Sequence, residues 1–293
     1  MGGFIARVVK YIKWQKVRRS FLASRGSRAF TLIEVLIVLA VTGGLFVSAA
    51  ILIAGRRQQT EFNQAVRQVQ SQIQQVINDV ATGFYPNTNT FQCSPGPSGP
   101  VFTSGSGTQQ GANSGCIFVG KAMQFGVSGT TPEQFSIFTV AGLQKSASGG
   151  EVNSLAQAQP KAIQAITTGH QLLGGLTTAD MWYLSGGVKK PIGIVTFANS
   201  LAPPGGSSVL FGTQQVNVVP VDDNQVNSAL GRTNAQAASA IDTSLATSTV
   251  NPASGVFLCF KSGGTNQSGL ITIGTNARQL SVTLSIKSST DCT

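Results

Sequence analysis

The sequence predicts an α+β protein: a long N-terminal helix, transmembrane in its first half and amphipathic in its second, packed on a β-rich antiparallel globular domain. Three observations carry this prediction. From Phe30 to Ala54 the chain reads FTLIEVLIVLAVTGGLFVSAAILIA, 25 residues whose one charge is Glu34. Phe62, Val66, Val69, Ile73, Val76 and Val80 then recur at spacings of 4, 3, 4, 3 and 4, the period of one helix face. Beyond residue 83 that period gives way to short alternating apolar runs between stretches rich in Gly, Pro, Ser and Asn, as in strands joined by turns.

The first element is basic. Residues 1–29 hold Arg7, Lys10, Lys13, Lys16, Arg18, Arg19, Arg25 and Arg28 and no acid. These eight carry most of the net charge of +10, because the rest of the chain has 12 basic residues against 10 acidic ones. The exported part is therefore nearly neutral, with no interleaving of aromatic and basic residues, and a nucleic-acid groove is not indicated. Phe4, Ile5, Val8, Val9, Ile12 and Trp14 give the basic segment an amphipathic character suited to a membrane surface.

The second element is the apolar run at 30–54. As a helix it is about 37 Å long, enough to cross a hydrocarbon core of about 30 Å with some tilt. A buried core helix would keep a polar stripe, and this run has none. A cleaved secretory signal is the other rival, with Val47-Ser48-Ala49 as its cut site, but the apolar run continues past that point. Eight basic residues before the span, against Arg56 and Arg57 after it, place the amino end in the cytoplasm and everything after Ala54 outside. The amphipathic half follows at 58–81, with Ala65 and Ile77 flanking its stripe and Gln, Asn and Arg on the other face. No proline interrupts 30–85, so one helix runs from Phe30 to about Ala81, with Gly83 and Pro86 as stop signals.

Glu34 needs a physical reason, since a carboxylate in an apolar span is costly unless it finds a partner. No Lys, Arg or His lies within 30–54. A cut just before Phe30 would create an α-amino group one turn from Glu34 in the same helix, or beside it in an axially shifted neighbour.

Ala29-Phe30-Thr31-Leu32-Ile33-Glu34 followed by VLIVLAV resembles the class III signal of type IV prepilins and pseudopilins. The resemblance covers about residues 20–82. It implies a pilin-like fold and three segments: a leader at 1–29, the helix at 30–82 and an exported domain at 83–293. It further implies cleavage by a prepilin peptidase between Ala29 and Phe30, N-methylation of Phe30, and an assembly role for Glu34 at mature position five. The implied partners are the membrane, that peptidase, inner-membrane assembly machinery, and copies of itself and other pilins in a filament. Such a subunit is a single-pass inner-membrane protein, then part of an extracellular or periplasmic filament. Gly43 falls at the mature position where helices of this family unwind on assembly, with Gly44 beside it. Close packing of small residues in lipid is the other reading of that pair. The sequence departs from the family's pattern at Ala29, where Gly is usual, in its long leader, and at Ile51, where a proline often ends the unwound stretch.

In the exported domain, alternation predicts strands at 134–143, 190–199, 207–219, 255–261, 268–274 and 279–287. Turn-rich stretches occupy 94–100, 103–115 and 202–208, a short helix is expected near 234–242, and 155–168 reads either way. Cys93, Cys116, Cys259 and Cys292 all lie on the exported side, where disulfides form. Four cysteines allow three pairings, the simplest joining neighbours in sequence. A bond from the chain end to a late strand is also what many pilins carry.

Enzyme signatures are absent. The one histidine, His170, has no G-x-S-x-G serine to serve, and no phosphate-binding G-x-x-x-x-G-K-[ST] loop occurs. Asp222-Asp223 with Asn224 could contribute to a calcium site, as some pseudopilins bind calcium, but two adjacent acids in a loop are usually solvated, so the metal site is left unassigned and no cofactor is expected. The alternative function is a membrane-anchored exported binding or enzymatic domain outside any filament.

Overall fold

The computed structural model describes residues 31–83, 91–104, 115–126, 132–146, 148–201, 216–222, 233–247, 255–263, 266–276, 279–288 and 292. The chain forms two compact units, residues 1–52 and 53–293, and helix α1 (Leu32–Ala81) supplies residues to both.

In the first unit, the described residues 31–52 are one helical segment with every side chain exposed. In the second, the predicted stripe is fully realised. Phe62, Ala65, Val66, Val69, Ile73, Val76, Ile77 and Val80 are buried, while Gln64, Arg67, Gln68, Gln74 and Gln75 face solvent. Burying such side chains contributes about 1.5–3 kcal/mol each before the entropy of ordering is subtracted.

What covers the stripe is a nine-stranded sheet. Its strands in chain order are β3 (Cys116–Phe125), β4 (Gln134–Leu143), β5 (Lys161–Gln171), β6 (Leu176–Ser185), β7 (Val188–Asn199), β8 (Val216–Asp222), β9 (Val256–Ser262), β10 (Ser268–Asn276) and β11 (Gln279–Lys287). A separate hairpin, β1 (Phe91–Gly96) and β2 (Gly99–Ser104), precedes them. The spatial order is β11-β10-β9-β6-β7-β3-β4-β5, with β8 also paired to β7, and every strand pair is antiparallel.

Strand β7 joins two halves of this sheet. Its first residues, Val188–Pro191, pair with β6, and Ile194–Ala198 lie between β3 and β8. Pro191 has no N–H to donate, and the register shifts between Ile192 and Ile194, so the ladder changes partner where it is already interrupted. The same bulge moves Ile192 and Ile194 to opposite faces. Ile192 joins Val195 and Phe197 in the core with α1, and Ile194 joins Ala198 in a second core. That second core is covered by α3 (Asn234–Thr247) through Ala237, Ala238, Ala240, Ile241 and Leu245, beside the short α2 (Leu155–Ala158).

Two polar ties and one close approach hold α1 to the sheet. Lys121 Nζ lies 2.6 Å from Asp79 Oδ2, and Gln70 Nε2 donates to the Val282 carbonyl at 3.0 Å. A Cβ on Gly269 would lie 2.9 Å from Val66 Cγ1, so that face of β10 admits the helix only without a side chain. At the far side, Asp242 Oδ1 accepts the Ala162 N–H at 2.7 Å, tying α3 to β5.

Strands are found at all six predicted runs, with three adjustments and several additions. Residues 202–215 lie outside the described residues, so the run predicted at 207–219 is seen only from Val216. The ambiguous stretch 155–168 holds α2 and the start of β5, and the helix expected at 234–242 continues to Thr247. The turn-rich 94–100 proves to be the tip of the β1–β2 hairpin, with Pro95 opposite Pro100; a two-stranded edge sheet tolerates prolines that a central strand would not. Strand β3 lacks clean alternation because Val119–Phe125 are all buried, with both faces covered, and β6 because its register shifts between Thr178 and Asp180.

Two predictions follow from this packing. Phe62→Ala removes a fully buried ring from the helix–sheet core and should lower unfolding free energy by about 3–5 kcal/mol, seen as a shifted denaturation midpoint. The second concerns Asp242, whose carboxyl is pushed up to about 6 by burial, against the smaller opposing effects of the Ala162 N–H and of Lys161. The folded state then holds a proton that the unfolded chain has already lost, so this group makes stability rise as pH falls from about 7 towards 4. Asp242→Asn should flatten that segment of the stability–pH curve, a change on the order of 1 kcal/mol for a half-buried site; an unchanged curve would exclude the assignment.

Candidate functional site

The helix α1 begins with its own cap. The Thr31 carbonyl accepts the N–H groups of Glu34 and Val35 at 3.0 and 3.3 Å, and the Thr31 hydroxyl lies 3.4 Å from the Glu34 nitrogen. Thr31-Leu32-Ile33-Glu34 has the T-x-x-E form of a capping box, which satisfies amide donors that have no intrahelical partner. Glu34 stands in the first turn, where the helix dipole favours a negative charge. The T-x-x-E spacing was visible in the sequence, yet Thr31 as a cap was not anticipated.

From Leu32 to Ile53 the surface is apolar on every side but for Glu34 in the first turn. Leu32 is 78% exposed, Phe46 78% and Leu52 70%. The hydroxyls inside this segment are satisfied by the helix itself: Thr42 donates to the Val38 carbonyl at 2.7 Å and Ser48 to that of Leu45 at 2.9 Å. Past its first turn the segment's backbone is bonded within the helix, the condition a lipid-crossing helix must meet. Among the described residues it is the one helix long and apolar enough to cross a membrane. Charges resume at Arg56 and Arg57, the latter bridged to Glu61 at 2.8 Å.

The helix passes through Gly43 and Gly44 without a break, and a Cβ at either would meet nothing within 4 Å. Ile51, where the family often has proline, is helical. Ala29 and Phe30 lie outside the described residues, as does the leader.

The cysteines pair as neighbours in sequence. Cys93 bonds Cys116 with their Cα atoms 6.2 Å apart, and Cys259 bonds Cys292 at 5.8 Å. The first clamps the β1–β2 hairpin to the start of β3. The second fastens residue 292 to β9 beside Trp182, whose ring stacks on Phe257 at 5.6 Å. Lys189 Nζ sits 4.0 Å from the centroid of the Trp182 ring and bonds the Asp180 carboxylate. The Trp182 cluster joins residues from β6, β7, β9 and the chain end, a proximity that no local sequence pattern announces.

The remaining candidates do not converge on a catalytic centre. His170 stacks on Phe135 at 5.0 Å, as an edge-strand packing residue does. Asp222 ends β8, and Asp223 and Asn224 lie outside the described residues. Among the described residues no group of three or more His, Cys, Asp or Glu side chains is placed to hold a metal ion.

Comparison with known proteins matches residues 24–43 to the family model of the prokaryotic N-terminal methylation motif. These residues carry the class III signal of type IV prepilins, which supports a pilin- or pseudopilin-like precursor that is membrane-associated and processed by a prepilin peptidase. The motif suggests a structural subunit rather than an enzyme. No curated protein and no solved structure matches the chain.

Closing a loop of 33 residues in the unfolded chain is worth on the order of 3–4 kcal/mol in the chain-entropy picture. Cys259→Ser combined with Cys292→Ser should therefore lower the denaturant midpoint by a matching amount and loosen the Trp182 environment, read by near-ultraviolet circular dichroism.

Proposed function

We propose that the protein is a structural subunit of a type IV pilus or pseudopilus-like filament, made as an inner-membrane precursor, cut before Phe30, and assembled through packing of its N-terminal helices. The observation that supports this most directly is the continuity of the signal with α1: the motif at 24–43 runs straight into a helix whose apolar surface is exposed on every side.

The mechanism follows from the charges. In the precursor the basic leader holds the amino end in the cytoplasm, and the apolar helix keeps the subunit in the membrane. Cleavage discards the leader's eight basic side chains and creates one new cation, the α-amine of Phe30, which is then methylated. In the filament that amine pairs with Glu34 of an adjacent subunit. Each charge offsets the desolvation of the other, in an apolar core where either alone would be costly. Cap and carboxylate sit in the same turn, so Thr31 holds Glu34 where a neighbour's amino end can reach it. Gly43 and Gly44 supply a point where α1 can extend on assembly, since glycine is the residue least committed to a helix. The β-rich unit then forms the filament surface, with its disulfides keeping hairpin and chain end fixed outside the cell. Assembly machinery of the inner membrane and other pilins are the expected partners.

Replacing Glu34 with Ala should leave membrane insertion intact and reduce filament incorporation at least tenfold. Intact-mass analysis of protein from its own host should give an amino terminus at Phe30 with one added methyl. A mature chain that keeps its leader would identify a permanently anchored exported domain instead, and normal incorporation of the Ala variant would remove the charge-pairing mechanism.

A further inference from the structure

The apolar segment of α1 carries two glycines that no contact within the chain explains. A Cβ at Gly43 or Gly44 would meet nothing within 4 Å, so no described neighbour excludes a side chain there. Glycine is less favourable than alanine in a helix interior. Two in succession make this the turn least committed to the helix between Leu32 and Ile53.

An opening at this turn has a definite cost in hydrogen bonds. In an α-helix the N–H groups of residues 43–46 serve the carbonyls of residues 39–42, so the Gly43 N–H is the amide partner of the Leu39 carbonyl. With the helix stopped at Thr42, those carbonyls become the orphans of a new C-terminus. Water satisfies such groups at an ordinary helix end. An apolar surrounding offers no donor, so each carbonyl left bare is expensive.

One replacement donor is already in place. The Thr42 hydroxyl donates to the Val38 carbonyl at 2.7 Å and also reaches the Leu39 carbonyl at 3.2 Å. Leu39 is the carbonyl that the Gly43 N–H would leave. Back-bonding onto its own helix is an ordinary way to satisfy a hydroxyl, so position decides what it means. Between Leu32 and Ile53 the hydroxyl side chains are Thr42 and Ser48. Ser48 donates to the Leu45 carbonyl, past the glycines, where the amide partner is Ala49. Thr42 stands in the turn that the glycines would strip. While α1 is closed, its hydroxyl is a second donor to a carbonyl that already has one. Once the Gly43 N–H withdraws it is the sole donor, and the sole bond of a buried acceptor counts for more than its second.

We infer that Thr42 is the hydrogen-bond donor that lets α1 open at Gly43–Gly44 within an apolar surrounding. On opening, its hydroxyl turns from the two carbonyls to Leu39 alone, so the new helix end keeps one bonded carbonyl. The inference rests on the reading that α1 extends at the two glycines, and adds the side chain that sets how readily it does so.

The test measures amide hydrogen exchange, residue by residue, in the full chain held in phospholipid bicelles. Amides 43–46 should be protected about tenfold less than amides 36–40. Thr42→Val keeps the β-branched shape and removes the hydroxyl, and should raise protection at 43–46 by about threefold. Thr42→Ser keeps the hydroxyl and should match the native chain, and Ser48→Ala should leave 43–46 unchanged. Even protection from 36 to 46 in the native chain overturns the opening at the glycines and the inference with it. Weak protection at 43–46 that Thr42→Val leaves unchanged or lowers overturns the inference alone. So does a Thr42→Ser chain that behaves like the Val variant, or an equal effect of Ser48→Ala.

Discussion

Helix α1 meets two burial regimes without a break in its backbone. From Phe62 to Val80 its apolar side chains form a stripe, and the sheet of the same chain covers it. From Leu32 to Ile53, Glu34 apart, exposed apolar side chains lie on all sides, and no described residue of the chain covers them. A stripe can be satisfied by one sheet face. A cylinder of apolar surface needs lipid or other helices around it. The second half of α1 is therefore a folding element, and the first half is an unmet demand for a partner.

The architecture of the β-rich unit answers the stripe. A nine-stranded sheet has two faces to cover, and α1 takes one of them. On the other, α3 covers the half built on β3, β4, β5, β7 and β8, and the Cys259–Cys292 bond with Trp182 and Phe257 occupies the β6–β9–β10 half. Strand β7 makes this division workable, because Pro191 and the bulge at Gly193 let it change neighbours and reverse its facing. Lys121 shows the same logic at one residue: its position in β3 faces the helix, so its charge is met by Asp79 of α1.

Much of this was legible in advance, for local reasons. The amphipathic half of the long helix, its stop at Gly83 and strand β11 could be read because each has one covered face and keeps a clean period. The processing motif was legible because its chemistry is linear: a peptidase reads consecutive residues. The T-x-x-E cap was present in the letters but unread until the Thr31 hydrogen bonds identified the first turn. Strand β3 was illegible because burial on both faces removes alternation, and β6 because its register shifts between Thr178 and Asp180. The Asp79–Lys121 pair, 42 residues apart, and the Gln70–Val282 bond, 212 apart, leave no sequence signal at all.

The amino acid order by itself determined that this chain has a basic segment, an apolar span interrupted by one carboxylate, and an amphipathic continuation on the same helix. Those features depend on nearest neighbours and on the helix period, which act before any tertiary contact forms. Only the tertiary structure decided which of three cysteine pairings is made and that Gly269 admits Val66. These are meetings of residues far apart in the chain, and they exist only once the sheet has set its register and given the helix a surface to lie on.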